Sequence, residues 1–219
     1  MKDRAAPDLA DAVAPRLHAL PEGAAHPPRA PGGARRAFAA NVLGTFALTV
    51  TDRLGIATRR AAGHGANAPA ALVTLLWYPD RPISFLADRL RISHPGAVQL
   101  VDRLERDGLV ERIPAYDGRT KLLALTDDGH DAALDVLTER RDLLERAVSA
   151  LDDAQVGALV DSVGSMLEAL ADDLLTSEFM CRMCDELACP DARCPVERAQ
   201  STPPHRRGTG YGVADETID

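Results

Sequence analysis

The stretch ISFLADRLRISHPGAVQLVDRLERDGLVERIPAYDGRTKLLALT, residues 83–126, limits what this chain can fold into more than any other segment. It divides into two short helices, a strand, a tight turn and a strand. The first helix, about 83–90, carries Ile83, Leu86, Ala87 and Leu90 on one face. Ser93 is a good N-cap for the second, and Pro95 sits in its first turn, where a missing N–H costs nothing. Ala97, Leu100, Val101 and Leu104 mark that helix's inner face, and Gly108 stops it. LVERIP and TKLLALT then flank Asp117-Gly118, a strong hairpin dipeptide.

Helices are expected on both sides of this stretch. Phe38, Val42, Phe46, Val50, Leu54 and Ile56 fall near helical spacing between about 35 and 62, with Gly63 just beyond. Asn67 is a plausible N-cap for APAALVTLLWY, a helix stopped by Pro79. From 129 to 150, Ala133, Leu134, Leu137, Leu144, Ala147, Val148 and Leu151 follow one side of a helix. Asp152 with Gln155 reads as a capping box, and Val156, Leu159, Val160, Val163, Leu167, Leu170 and Leu174 continue an apolar stripe beyond it. These stripes exceed what a small domain needs internally, so helix-on-helix dimerisation is expected.

The resulting fold class is mainly α with a small β-hairpin wing, a winged helix-turn-helix with dimerisation helices at either end. The expected organisation is a disordered Ala/Pro-rich arm over 1–33 and a main domain over 34–175. Within that domain, dimerisation helices at 34–66 and 129–175 enclose a winged helix-turn-helix at 67–128. A four-cysteine module over 176–199 and a tail over 200–219 follow.

Composition narrows the setting. With 219 residues, 46% of them hydrophobic, the chain can fill one sizeable core. No segment approaches the roughly 18 uninterrupted apolar residues of a membrane helix, and the N-terminus has acidic residues and prolines where an export signal has an apolar core. A soluble, cytoplasmic protein with no membrane partner is expected. The net charge is −8, but eight basic and seven acidic residues from Asp80 to Lys121 leave +1 there, against −9 for the remainder. A local anion-binding face requires that kind of relief. No nucleophile–base–orienter set, phosphate loop or His/carboxylate metal spacing stands out, so an enzyme is not expected.

In a winged helix-turn-helix the second helix fits the major groove and the hairpin reaches along the backbone into the minor groove. LADRLRIS, LVDRLERDGLVER and DGRTKLLALTDDG resemble the MarR family of bacterial transcription regulators, and the likeness extends more loosely over about 35–175. The resemblance implies a homodimer with interlocked terminal helices on a pseudo-palindromic double-stranded DNA operator, acting as a repressor. It implies Arg119 at the wing tip entering the minor groove, with Asp117 orienting it, and a small aromatic effector between the dimer helices and the DNA-binding lobes; Trp77 and Tyr78 lie near that junction and read first as core aromatics closing the lobe.

After Ser93, which joins the expected DNA-facing set, the exposed start of the recognition helix departs from the family, reading His94, Pro95, Gly96, Val98 and Gln99 where relatives often carry serine, threonine and arginine. His94 and Gln99 can hydrogen-bond base edges, Gln99 most naturally with adenine, and Val98 can pack on a thymine methyl. Arg103, Arg112 and Lys121 are phosphate candidates. Thin direct readout keeps a second function open: a metal- or redox-carrying helical interaction protein that no longer binds DNA specifically.

All four cysteines stand within CRMCDELACPDARC as Cys181, Cys184, Cys189 and Cys194, spaced C-x2-C-x4-C-x4-C. Thiols stay reduced in a cytoplasm, so the cluster reads as ligands or sensors before disulfides. The spacing equals that of a zinc knuckle with Cys189 in the histidine position. Its acidic residues and lack of aromatics between the cysteines argue against RNA binding. Three readings stay open: Zn2+ on four thiolates, an iron–sulfur cluster suggested by the Cys189-Pro190 and Cys194-Pro195 pairs, and metal-free thiols in which Cys181 and Cys184 oxidise.

Overall fold

Helices surround a small antiparallel sheet in the order α1 (Gly33–Ala62), α2 (Ala68–Trp77), β1 (Arg81–Pro82), α3 (Ile83–Leu90), α4 (His94–Arg106), β2 (Val110–Pro114) and β3 (Lys121–Leu125), then α5 (Asp127–Val148), α6 (Asp153–Leu170), α7 (Ser177–Met180) and α8 (Pro195–Ser201). The computed structural model describes residues 33–62, 65–116, 118–171, 177–189 and 194–201. The arm expected over 1–33 (all but Gly33), most of the tail over 200–219, and Gly63, Asp117, Leu174 and Pro190 lie outside the described residues. No described helix is long and apolar enough to cross a membrane.

The chain divides into two units, one ending at Thr45 and the other beginning at Phe46. In the first, the described residues are helical, with Phe38, Val42 and Leu43 exposed. Everything that follows concerns the second unit.

The core is organised around α2. Its residues Ala68 to Leu75 are all buried, as expected of a helix apolar on every side. It packs against α3, β3 and α5, and Leu86, Leu104, Val101, Val110, Leu123 and Val136 close the space around it. Asn67 occupies the N-cap position but makes no side-chain capping bond, and Pro69 in the first turn supplies a pre-set φ instead.

Two expectations change at the sheet. The expected hairpin is present, with β2 and β3 paired from Val110↔Leu125 to Pro114↔Lys121, but a third strand joins it. Arg81 and Pro82 pair with Leu123 and Leu122, giving the order β1-β3-β2. A two-residue strand holding a proline has no readable period, and only the free edge of β3 creates it. The connection is also wider than a two-residue turn. Residues 115–120 form the loop, closed by Ala115 N–H to Thr120 O (2.9 Å), with Gly118 at a φ of 66°.

The outer helices differ from each other in what they bury. On α5 the buried face is Gly129, Ala132, Ala133 and Val136, while Leu134 and Val148 are exposed. Of the expected stripe, Ala133 is buried and Leu137 packs against the core, while Ala132 and Val136, outside it, complete the buried face. α6 begins in the expected capping box, Asp152 accepting from Gln155 N–H (2.9 Å) and Gln155 Oε1 accepting from Asp152 N–H (3.0 Å). Although amphipathic in sequence, α6 has no buried residue, and Val160 and Leu170 are more than half exposed.

The entry to α5 is a tight joint with the sheet. Thr126 caps the helix by accepting from Gly129 N–H (3.0 Å) and donates its hydroxyl to Gly108 O (2.6 Å). A Cβ on Gly129 would stand 1.8 Å from the Leu109 carbonyl oxygen, which is backbone and cannot yield. Gly129→Ala is therefore expected to cost about 2 kcal/mol or more of stability, the range for overpacking a tight site. Urea unfolding with unchanged slope would measure it, and an unchanged midpoint would contradict the contact.

Candidate nucleic-acid interface and cysteine cluster

The helix-turn-helix is set by local chemistry. Arg91 ends α3 in the left-handed conformation (φ 51°), which turns the chain sharply, with Ile92 N–H bonded to Ala87 O (3.0 Å). Ser93 then adopts an extended backbone, and its hydroxyl accepts from Gly96 N–H at 3.2 Å, capping α4 as expected. Pro95 lies in the first turn. Ala97, Leu100, Val101 and Leu104 face the core, which fixes the opposite face outward.

On that outer face Ser93, His94, Pro95, Gln99 and Arg103 are exposed and Val98 is half-buried. Arg103 Nε donates to the Gln99 carbonyl (3.3 Å), lying back along its own helix. Arg119 is exposed in the hairpin loop and Lys121 at the start of β3. Arg112 is placed differently from a free phosphate ligand. Its guanidinium forms ion pairs with Asp102 (2.5 Å) and Glu105 of α4, fastening β2 to the recognition helix. The pairs are partly exposed and so contribute modestly, but they set the hairpin's angle to the helix. Asp117, expected to orient Arg119, lies outside the described residues.

Sequence reasoning missed Tyr116, fully exposed in the same loop beside the basic tip. An aromatic in an otherwise polar turn was the available signal. For Trp77 the expected role of a core aromatic holds. Trp77 packs on the core and donates its indole N–H to Cys184 O (3.1 Å). Tyr78 carries the Arg89 guanidinium 4.0 Å over its ring. Burial and a hydrogen bond with Glu186 raise the Tyr78 pKa.

The four cysteines converge on one cavity of about 390 Å3, lined also by Tyr78 and Arg89. Cys181 N–H bonds to Ser177 O (2.8 Å) and Cys184 N–H to Cys181 O (2.8 Å), so α7 and the following turn present the first two thiols. Asp185 holds the next turn, its Oδ1 accepting from Leu187 N–H (3.0 Å) and its carbonyl from Cys189 N–H (3.1 Å). Cys194, at 5% exposure the most buried of the four, stands before α8. All four are free thiols.

The hydrogen bond between Cys181 and Cys184 lowers Cys184 to about 6 and raises Cys181. The charge of Arg140 adds to the lowering at Cys184, and burial raises Cys189. Among the described residues, no group of three or more His, Cys, Asp or Glu side chains is placed to hold a metal ion. The thiols nonetheless perturb one another, Cys194 acting on both Cys181 and Cys189 to raise them.

Removing the Ser93 cap leaves a helix N–H without its partner. Ser93→Ala is expected to destabilise the fold by about 1 kcal/mol, read from the urea midpoint. A change within error would mean the cap adds nothing to α4.

A MarR family domain model matches residues 71–120, which run from α2 through the wing loop. No curated protein matches the chain significantly. Among solved structures, the YusO protein from Bacillus subtilis is similar at 18% identity and TM-score 0.58, covering 64% of this chain and 99% of that one. A MarR family protein from Bacillus stearothermophilus is similar at 20% identity and TM-score 0.56, with 65% and 100% covered. MepR, described as a transcription regulator of the Staphylococcus aureus multidrug efflux pump MepA, is similar at 17% identity and TM-score 0.53, with 60% and 97% covered. Residues 71–120 thus match a MarR family domain model, and the chain shares the winged helix-turn-helix fold of these structures.

Proposed function

We propose that this chain is a cytoplasmic, homodimeric transcription regulator that binds double-stranded DNA and represses by occupying its operator. The observation that carries this reading is the outward face of α4, with its Ser93 cap and its polar start His94 to Gln99, standing beside a wing that exposes Arg119 and Lys121. A helix of that kind fits a major groove, and arginine at a wing tip suits the negative potential of a narrow minor groove. The role is regulatory rather than catalytic, in keeping with the MarR family domain.

In this reading each residue has a task. Gln99 reads a base edge, His94 assists at the first position, and Val98 contacts a thymine methyl. Arg103 and Lys121 neutralise phosphates, while Arg112 positions the wing through Asp102 and Glu105. Few donors reach base edges, so DNA shape supplies much of the specificity. The dimer is supported by α6, none of whose residues is fully buried and whose Val160 and Leu170 are more than half exposed, and by the exposed Phe38 and Phe46 of α1. The competing reading, an interaction protein without specific DNA binding, is favoured by Pro95 and Val98 standing where base donors would serve.

Gel shifts on the promoter of the chain's own gene separate the two. Retardation by the full chain is expected at moderate salt, weakened roughly tenfold or more by Arg119→Ala, while Lys121→Ala lowers the salt slope by about 1. No specific retardation on any such fragment would defeat the regulator reading. Sedimentation should give twice the chain mass of 23.4 kDa, and Val160→Asp should shift the population toward monomer. A wild-type monomer at micromolar concentration would remove the dimer.

A further inference from the structure

We propose that Cys181 and Cys184 form a redox-responsive dithiol pair, closed to a disulfide by a hydroperoxide, and that its closure acts on the helix ahead of the recognition helix. Cys184 N–H bonds to the Cys181 carbonyl at 2.8 Å, so residues 181–184 form one tight turn. Such a turn holds its first and last Cα atoms within about 7 Å, and a disulfide spans roughly 4.4–6.8 Å between Cα atoms. A disulfide therefore fits this turn with little change of chain path.

The two residues inside the turn are held elsewhere. Arg182 stacks 3.9 Å over the Phe179 ring and donates to the Phe179 carbonyl (2.6 Å), while Met183 packs against the core. Cys181 and Cys184 both line the cavity of about 390 Å3 and are half-buried, so a small oxidant can reach them. A disulfide needs only a pair, whereas no larger donor group placed for a metal stands among the described residues. Cys194 is buried, and Cys189 belongs to the separate turn closed by the Asp185 carbonyl, which leaves Cys181 and Cys184 as the cysteines joined by one turn.

With hydrogen peroxide as the simplest hydroperoxide, one thiolate attacks the O–O bond. It takes one oxygen as a sulfenic acid and releases hydroxide, which is protonated to water. The second thiol attacks the sulfenic sulfur, the S–S bond forms and a second water leaves. The pair loses two electrons and two protons, and the peroxide is reduced to two waters. Cys184, held at about 6 chiefly by the hydrogen bond from Cys181, is a thiolate at neutral pH and suits the attacking role.

The turn is tied to the lobe and to α6. Trp77 ends α2 and donates its indole N–H to the Cys184 carbonyl (3.1 Å). α7, which stops at Met180 just before Cys181, packs against α3 and α8. α8 in turn packs on α6, where Arg198 bonds to Glu168 (2.8 Å). A turn reshaped by a disulfide therefore acts on α3, which leads into the recognition helix. The described chain is the free-thiol form with the outer face of α4 set beside the wing, so oxidation is expected to disturb that face and weaken operator binding. This last effect rests on the regulator reading, whereas the disulfide does not.

The test uses the full chain, purified anaerobically, treated with a slight excess of hydrogen peroxide, alkylated and digested with trypsin. Trypsin cuts after Arg182, between the two cysteines. The oxidised chain should give a peptide ending at Arg182 linked through Cys181 to one beginning at Met183, and reductant should separate them. Cys189→Ser should keep the link and Cys181→Ser should lose it, both shown folded by circular dichroism. Trp77 is the single tryptophan, so its emission should shift on oxidation and return with dithiothreitol. On a promoter fragment retarded by the reduced chain, oxidation should lower affinity roughly fivefold or more, reversibly, and leave Cys181→Ser unaffected. A folded wild-type chain that forms no such link, or gives only sulfinic acid or a link through Cys194, overturns the proposal. So does a disulfide that leaves operator affinity unchanged. A reduced chain that retards no promoter removes the regulator reading, while the link and the Trp77 shift still decide the dithiol pair.

Discussion

The rest of this structure depends on keeping α2 dry. A helix with eight consecutive buried residues, Ala68 to Leu75, can stand only if other elements cover every side. α3, β3 and α5 do so, and each then has an outer surface whose orientation is inherited from α2. The recognition helix is one step removed, seated on α3 through Ala97, Leu100, Val101 and Leu104. Its outward side chains therefore owe their direction to a helix that touches no ligand. This explains how the few polar side chains on that face stand in a definite array.

Much of this was legible in the sequence because the decisive signals are local. Ser93, Pro95 and Gly108 mark α4 within a residue of its ends, since caps and stop signals act over a single turn. Asp152 and Gln155 do the same for α6. What escaped is long-range. β1 exists only because β3 offers an edge to Arg81 and Pro82, forty residues away in the chain. On α5 the expected stripe holds Ala133 and Leu137 against the core, but Ala132 and Val136 of the buried face lie outside it, and Leu134 within it is exposed.

The candidate site shows the same division. That Gln99 and Arg119 point outward follows from helix period and turn position. That Arg112 is held by Asp102 and Glu105 does not, because the pairing joins a strand to a helix across a turn. The cysteine spacing was visible as a cluster, but its setting was not. Only the fold brings Tyr78 and Arg89 to the same cavity, and only the fold ties Cys184 to Trp77. The hydrogen bond from Cys181, joined by the charge of Arg140, holds the Cys184 thiol below its usual pKa.

The joint at Gly108, Leu109, Thr126 and Gly129 has one more consequence. Thr126 bonds to both the start of β2 and the first turn of α5, and the Leu109 carbonyl fills the space a side chain at 129 would need. The first turn of α5 and the chain entering β2 are thus held to each other by one threonine and one carbonyl, so a displacement of that turn passes directly to the base of the wing.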